Sequence, residues 1–147
     1  SAGMRLPEIE KLSVEETTRR AVRDYERKAG VQVRLEIDAV PEDVPLPVKI
    51  TLFRLIQESL ANGYRHGAAT DQHVALTRSD GTLAVEIADS GTGFDPSVAI
   101  TGAHLGLAGM REWVELLGGT FSVQSTPGRG TVVRAWLPLS LSEQYDE

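Results

Sequence analysis

The 147-residue sequence is 41% hydrophobic and 24% charged, ordinary values for a single globular domain with a sizeable core. It has no cysteine, which excludes disulfides and thiolate metal sites, and no apolar run of about eighteen residues, which excludes a membrane-spanning helix within it. A net charge of -6 argues against nonspecific binding to nucleic acid but leaves room for an anionic small ligand held by a local Arg or a helix N-terminus.

Residues 1–12 show little pattern, and Pro7 argues against a long helix there. Ser13 and Glu16 have the spacing of a capping box, and Val14, Ala21, Val22, Tyr25 and Ala29 form a helical apolar face. The first helix is therefore expected over Val14–Ala29, with Gly30 as its stop. Val31, Val33, Leu35 and Ile37 alternate with polar residues and predict a half-buried strand. Three prolines at 41, 45 and 47 mark a loop, and Pro47 suits the first turn of a helix running from about Leu46 to Arg65. Val74 and Leu76, the turn Ser79-Asp80-Gly81, then Leu83, Val85 and Ile87 predict a hairpin ending at Asp89. The Gly-, Thr- and Ser-rich run from Ser90 to His104 is too long for a minimal connection. A helix is expected from near Leu105 to Gly118-Gly119, followed by a hairpin with Phe121 and Val123 in one strand and Thr131–Leu137 in the other. The tail 140–147 is polar, and its sequence predicts fraying. Two hairpins favour antiparallel pairing. The expected fold class is therefore α/β: a two-layer α/β sandwich with a mixed, mostly antiparallel sheet and helices on one face.

The stretch Leu52–Gly67 has two faces. Leu52, Leu55, Ile56, Ser59 and Leu60 form an apolar stripe. Glu58, Asn62 and His66, spaced by four, stack beside it with Arg65. Such a polar strip is either a solvated face or one wall of a polar site. Asp89-Ser-Gly-Thr-Gly93 at a strand end is either an ordinary turn or a carboxylate that accepts from an amino group, with Gly91 and Gly93 admitting a flat ring. Gly106 and Gly109 at a helix start are either part of a flexible loop or a cradle for phosphates, and a close approach would explain Gly109, which costs about 1 kcal/mol relative to Ala inside a helix. Gly128-Arg-Gly130-Thr131 by itself is a turn. The histidines at 66, 73 and 104 are scattered and give no zinc spacing.

The order of these stretches is more specific than any one of them. Glu58-x-x-x-Asn62-x-x-Arg65-His66, Asp89-x-Gly91-x-Gly93, Gly106-Leu-x-Gly109-Met and Gly128-x-Gly130-Thr131 closely resemble the N, G1, G2 and G3 boxes of the GHKL (Bergerat-fold) ATPases, over roughly residues 47–138. Within that superfamily, residues 106–139 are most similar to sensor histidine kinases of the NarL-type subfamily, and residues 3–22 look like the segment joining their dimerisation helices to the ATP-binding domain.

The resemblance implies ATP and Mg²⁺ as cofactors. It implies that Asn62 ligates Mg²⁺, that Glu58 orders the metal site or acts as a base, and that Arg65 and His66 meet phosphate or ribose. Asp89 would bind the adenine amino group, with Gly91 and Gly93 beside the ring and Thr131 supporting Asp89 or a water. Residues 94–105 would form a lid, and Gly106, Leu107 and Gly109 would face the phosphates. It further implies a linker at 1–12, a catalytic domain at 13–139 and a polar tail at 140–147. The acceptor would be a histidine on a dimerisation domain, since no histidine precedes His66. The isolated fragment would bind ATP with little activity, as a monomer. The full-length protein would be a homodimer acting on a response regulator, with no nucleic-acid partner, and cytoplasmic whether or not it carries a membrane anchor.

Some positions depart from the family pattern. Ser90 stands where Asn is commoner, Gly63 and Tyr64 where Ala and a small or apolar residue are usual, Gly67 where Ala or Ser is typical, and Trp113 where Arg is frequent. None removes a ligand-type side chain. The competing readings are a serine protein kinase of the anti-sigma-factor type and a non-catalytic nucleotide-sensing module.

Overall fold

The first long helix is set by its ends. In a computed structural model, which describes residues 6–69, 71–99 and 106–141, the Ser13 hydroxyl accepts from Glu16 N–H and the Glu16 carboxylate accepts from Ser13 N–H, the reciprocal pair of a capping box. This opens α2 (Val14–Ala29), which Gly30 closes in the left-handed region at φ 71°. Ahead of it lies a short helix that the sequence pattern does not reveal, α1 (Leu6–Lys11), with Pro7 in its first turn, where a missing N–H costs nothing. Ile9 of α1 is buried in the core, and the 2%-exposed Lys49 donates to the carbonyls of Glu10 and Leu12 while pairing with Asp43.

The strand β1 spans Val33–Asp38, starting two residues later than the alternation suggests because Val31 and Gln32 carry the chain from the left-handed cap into register. The central helix α3 (Leu46–Gly67) runs two residues past Arg65 and ends on Ala68, itself left-handed, whose N–H donates to Gly63 O. Val48, Leu52, Leu55, Ile56 and Leu60 of α3 are fully shielded from solvent, each worth roughly 1.5–3 kcal/mol of transfer free energy.

The hairpin β2 (Gln72–Ser79) and β3 (Thr82–Asp89) turns at Asp80-Gly81, with Asp80 at φ 53°. A one-turn helix α4 (Pro96–Ala99) interrupts the following connection. Residues 100–105, and with them His104 and the expected helix start at Leu105, lie outside the described residues. The next helix, α5 (Leu107–Leu116), is preceded by Gly106 at φ 64°. The second hairpin is β4 (Thr120–Ser125) and β5 (Thr131–Pro138).

The strands form one sheet in the order β1-β2-β3-β5-β4. Only β1 and β2 are parallel, as the connection through α3 requires; all other pairs are antiparallel. Val74, Leu76, Leu83, Val85, Ile87, Val133, Ala135 and Leu137 project from one face into the core shared with α2, α3 and α5, while Glu36, Glu86 and Arg134 decorate the other. The expected two-layer, mostly antiparallel sandwich with helices on one face is the observed architecture.

Candidate functional site

The inner sheet face is apolar except at one end. There, strand register aligns Gln72 with Asp89, Asp89 with Thr131, and Thr131 with Ser125. These four lie on the same face by the period-two rule, so a polar row crosses four strands below the last turns of α3. Ser125 Oγ lies 2.8 Å from Thr131 Oγ1 and accepts from Phe94 N–H, which ties the post-β3 segment to the row.

Three backbone segments meet beside this row with almost no space between them. A β-carbon on Gly91 would stand 2.5 Å from Gly67 O, and one on Gly93 would stand 2.2 Å from Thr126 O. Gly91 therefore admits the end of α3, and Gly93 (φ 67°) admits the β4–β5 turn. Thr92 N–H donates to Gly67 O, which completes the contact. The glycines expected to admit a ring thus first admit neighbouring backbone, and Gly93 does so while also lining the pocket described next.

Between α3, the row and the start of α5 lies a pocket of about 220 Å³. Six of the residues singled out from sequence line it: Asn62, His66, Asp89, Gly93, Leu107 and Thr131. It is also lined by Ser59, Gly63, Gly67, Ile87, Phe94 and Val133. Ile87 and Val133 sit two residues from Asp89 and Thr131 on the same strand faces, so strand periodicity would have found them. Phe94, next to Gly93, is the first residue of the lid expected at 94–105, of which residues 100–105 lie outside the described residues.

Five expected site residues lie elsewhere. Glu58 and Arg65 line a separate groove with Arg54 and Trp113, whose guanidinium and indole stack at 5.8 Å. The Glu58 carboxylate rests against Gly106 at the start of α5, where a β-carbon would meet Glu58 Oε1 at 2.9 Å. Arg65 Nη2 reaches back to Asn62 Oδ1 at 3.4 Å. Gly91 is closed in by Gly67 O, the Ala69 side chain and Asp89 Oδ1, and among the described residues no atom outside its own helix and chain neighbours lies within 4 Å of where a Gly109 β-carbon would be.

The dominant electrostatic feature is Asp89. Burial pushes its carboxyl above the ordinary range, partly offset by the backbone N–H groups of Gly91 and Thr131. Gly91 N–H donates to Asp89 Oδ1 at 2.9 Å, which fixes the carboxylate plane. A half-buried acceptor flanked by Ile87, Val133 and Leu107 suits a flat, largely apolar ring that carries an amino group. Among the described residues no group of three or more His, Cys, Asp or Glu could hold a metal ion.

Residues 48–141 match the family described as histidine kinase-, DNA gyrase B- and HSP90-like ATPases. The chain belongs to this ATPase family. Across its length the ATPase domain is 32% identical over 135 residues to the signal transduction histidine-protein kinase/phosphatase DegS of Brevibacillus brevis, covering 92% of this chain and 35% of that protein. It is 26% identical over 140 residues to the oxygen sensor histidine kinase NreB of Staphylococcus carnosus, covering 95% of this chain and 40% of that one. Among solved structures, it superposes on the blue-light activated histidine kinase EL346 of Erythrobacter litoralis with a TM-score of 0.66 at 26% identity, over 87% of this chain and 42% of that one. The histidine kinase domain of the same protein gives 0.63 at 25% identity, over 86% of this chain and 60% of that one. The ATPase domain thus spans about two-fifths or less of the curated relatives it matches. No helix among its described residues is long and apolar enough to cross a membrane.

Proposed function

We propose that the chain is the ATP-binding catalytic domain of a two-component sensor histidine kinase. The observation that carries this reading is the carboxylate of Asp89, half-buried at the floor of a pocket whose opposite wall carries Asn62 and His66 on α3. Asp89 accepts the hydrogen bond of the adenine amino group. Ile87, Val133 and Leu107 cover the ring and keep water from competing. Thr131 holds the floor beside Asp89. The phosphates leave the pocket toward the start of α5, where the first N–H groups of the helix lack intrahelical acceptors and favour anions.

Asn62, on the pocket wall, would offer its side-chain oxygen to a Mg²⁺ ion carried by the nucleotide. The ion that Asn62 would hold would supply neutralisation of charge on the phosphates during transfer. His66 at the pocket rim and the adjacent Arg65 supply further donors to phosphate. Glu58 lies on the groove side of Gly106, where an acceptor imidazole from another domain approaches; it accepts or orients the imidazole proton as general base. The imidazole nitrogen forms the N–P bond to the γ-phosphorus as the P–O bond to the β-phosphate breaks, leaving ADP. That imidazole belongs to a dimerisation domain of a cytoplasmic, homodimeric kinase that passes the phosphoryl group to a response regulator. In this reading 13–139 is the catalytic domain, 1–12 the connection to the dimerisation domain and 140–147 a tail.

Titration calorimetry tests the nucleotide site: with Mg²⁺ the chain binds ATP, and Asp89→Asn and Asn62→Asp each weaken binding by on the order of tenfold or more. No heat of binding from the unsubstituted chain overturns the reading. Incubation with a histidine-bearing helical fragment tests the acceptor, because a phosphohistidine product is acid-labile and an acid-stable product excludes histidine.

A further inference from the structure

Gln72 of the polar row is buried and has no part in the proposed function. Gln72 is 2% exposed at the head of β2, directly opposite Asp89. A buried primary amide must place an acceptor and two N–H groups. Its Oε1 accepts from the hydroxyl of Tyr25, a residue of α2. One N–H goes to the carbonyl of Leu60 on α3, at 2.9 Å. The oxygen and nitrogen of the amide are thereby told apart, and the side chain has a single orientation.

The remaining N–H borders the same space as the Asp89 carboxylate. A β-carbon at Gly63 would lie 2.8 Å from Gln72 Nε2 and 2.7 Å from Asp89 Oδ2. The amide nitrogen and the carboxylate oxygen thus converge on the same small volume over α3, which only a glycine leaves free. This also explains why Gly63 stands where the family pattern has Ala. We propose that Gln72 is a positioning residue for base recognition: held by Tyr25 and Leu60, its amide supports Asp89 Oδ2 across the gap left by Gly63 and keeps the carboxylate set to receive a 6-amino group.

Asp89 Oδ1 accepts from Gly91 N–H, while Oδ2 faces the space over Gly63 that Gln72 Nε2 also borders. Burial raises the Tyr25 phenol above its ordinary range, so it stays a neutral donor and the amide does not flip. Tyr25 and Gln72 thus join α2 to the polar row at the floor of the nucleotide pocket.

The inference rests on the reading of Asp89 as the adenine acceptor, and its test separates the two. Dissociation constants are measured for ATP and for purine riboside 5′-triphosphate, which lacks the 6-amino group, with Mg²⁺ present. The unsubstituted chain is expected to prefer ATP by on the order of tenfold. Gln72→Met and Tyr25→Phe are each expected to reduce that preference roughly threefold or more, while affinity for the analogue stays within about twofold. An unchanged preference in Gln72→Met overturns the inference. So does an equal loss of both ligands, which is what a merely structural role produces. Equal binding of both nucleotides by the unsubstituted chain overturns the Asp89 reading itself and this inference with it. Tyr25→Phe keeps the shape of the core and removes only the oxygen that orients the amide, so it reports even where Gln72→Met folds poorly.

Discussion

Asp89 shows how a site residue is held at some cost to the fold. Its carboxyl titrates above the ordinary carboxylate range because burial disfavours the charged form. A group whose folded-state value lies above its unfolded one contributes stability only below the unfolded value, and that contribution is lost as pH rises through the folded one. Ionised Asp89 therefore works against the nucleotide-free fold at neutral pH. Asp89→Asn removes the charge while its amide oxygen can still accept from Gly91 N–H. Without nucleotide, the variant is expected to melt higher than the parent at pH 7–8, with the advantage shrinking as pH falls into the carboxylate range. Melting curves across that range check this, and a variant that melts lower at every pH contradicts it. Asp89 was legible in the sequence because a carboxylate between a hydrophobic run and two glycines is locally conspicuous. Gln72 was not, since a polar residue ahead of a strand looks like any loop residue until strand register places it opposite Asp89.

At the scale of elements, local chemistry was readable and long-range support was not. The capping box at Ser13, the stop at Gly30, the turn at Asp80-Gly81 and the amphipathic α3 all announce themselves within a few residues. The polar strip on α3, expected to be either a solvated face or one wall of a polar site, is divided between the pocket and a neighbouring groove. Residues four apart on a helix drift by about 40° per step, so Glu58 and His66 differ by roughly 80°. Glu58 accordingly faces the groove toward α5, and His66 faces the pocket. Helix α1 was invisible because it is six residues long and its carbonyl partners come from Lys49, nearly forty positions away. Lys49→Met is expected to release that helix end and cost roughly 1–3 kcal/mol by removing two charge-assisted hydrogen bonds from a buried position. Asp43, 64% exposed, is left to water. Urea titration measures the loss, and ATP affinity should stay unchanged because Lys49 is remote from the pocket lining.

As a whole, the described residues form a single sheet with one wet face and one covered face, and the pocket lined by Asn62, Asp89 and Thr131 lies on the covered side. The sheet edges β1 and β4 carry Arg34, Glu36, Asp38 and Gln124 rather than apolar strips, which discourages edge pairing with other chains. A ligand that bridges α3, the sheet and α5 binds only the folded chain, so it stabilises all of them together. ATP at a hundredfold excess over its dissociation constant is expected to add about 2.7 kcal/mol and to raise the melting midpoint by roughly 5–10 °C. The midpoint should climb with the logarithm of ATP concentration in the parent, and in Asp89→Asn the climb should begin only at about tenfold or more higher ATP; a flat response in the parent counts against the pocket as the binding site.

The polar row has a consequence for which length changes the chain can absorb. Its members come from four separate strands and share a face only because the pairing register brings them level. A strand alternates faces at every residue, so deleting a single position between 82 and 88 would turn Asp89 to the wet side, among Glu86 and Arg134, with its identity untouched. The turn at 80–81 lies at the far end of the same hairpin and carries no such burden. Tolerance of insertions and deletions should therefore be steeply graded along β2 and β3, high at the turn and vanishing toward the pocket, even where every side chain that meets the ligand is still encoded.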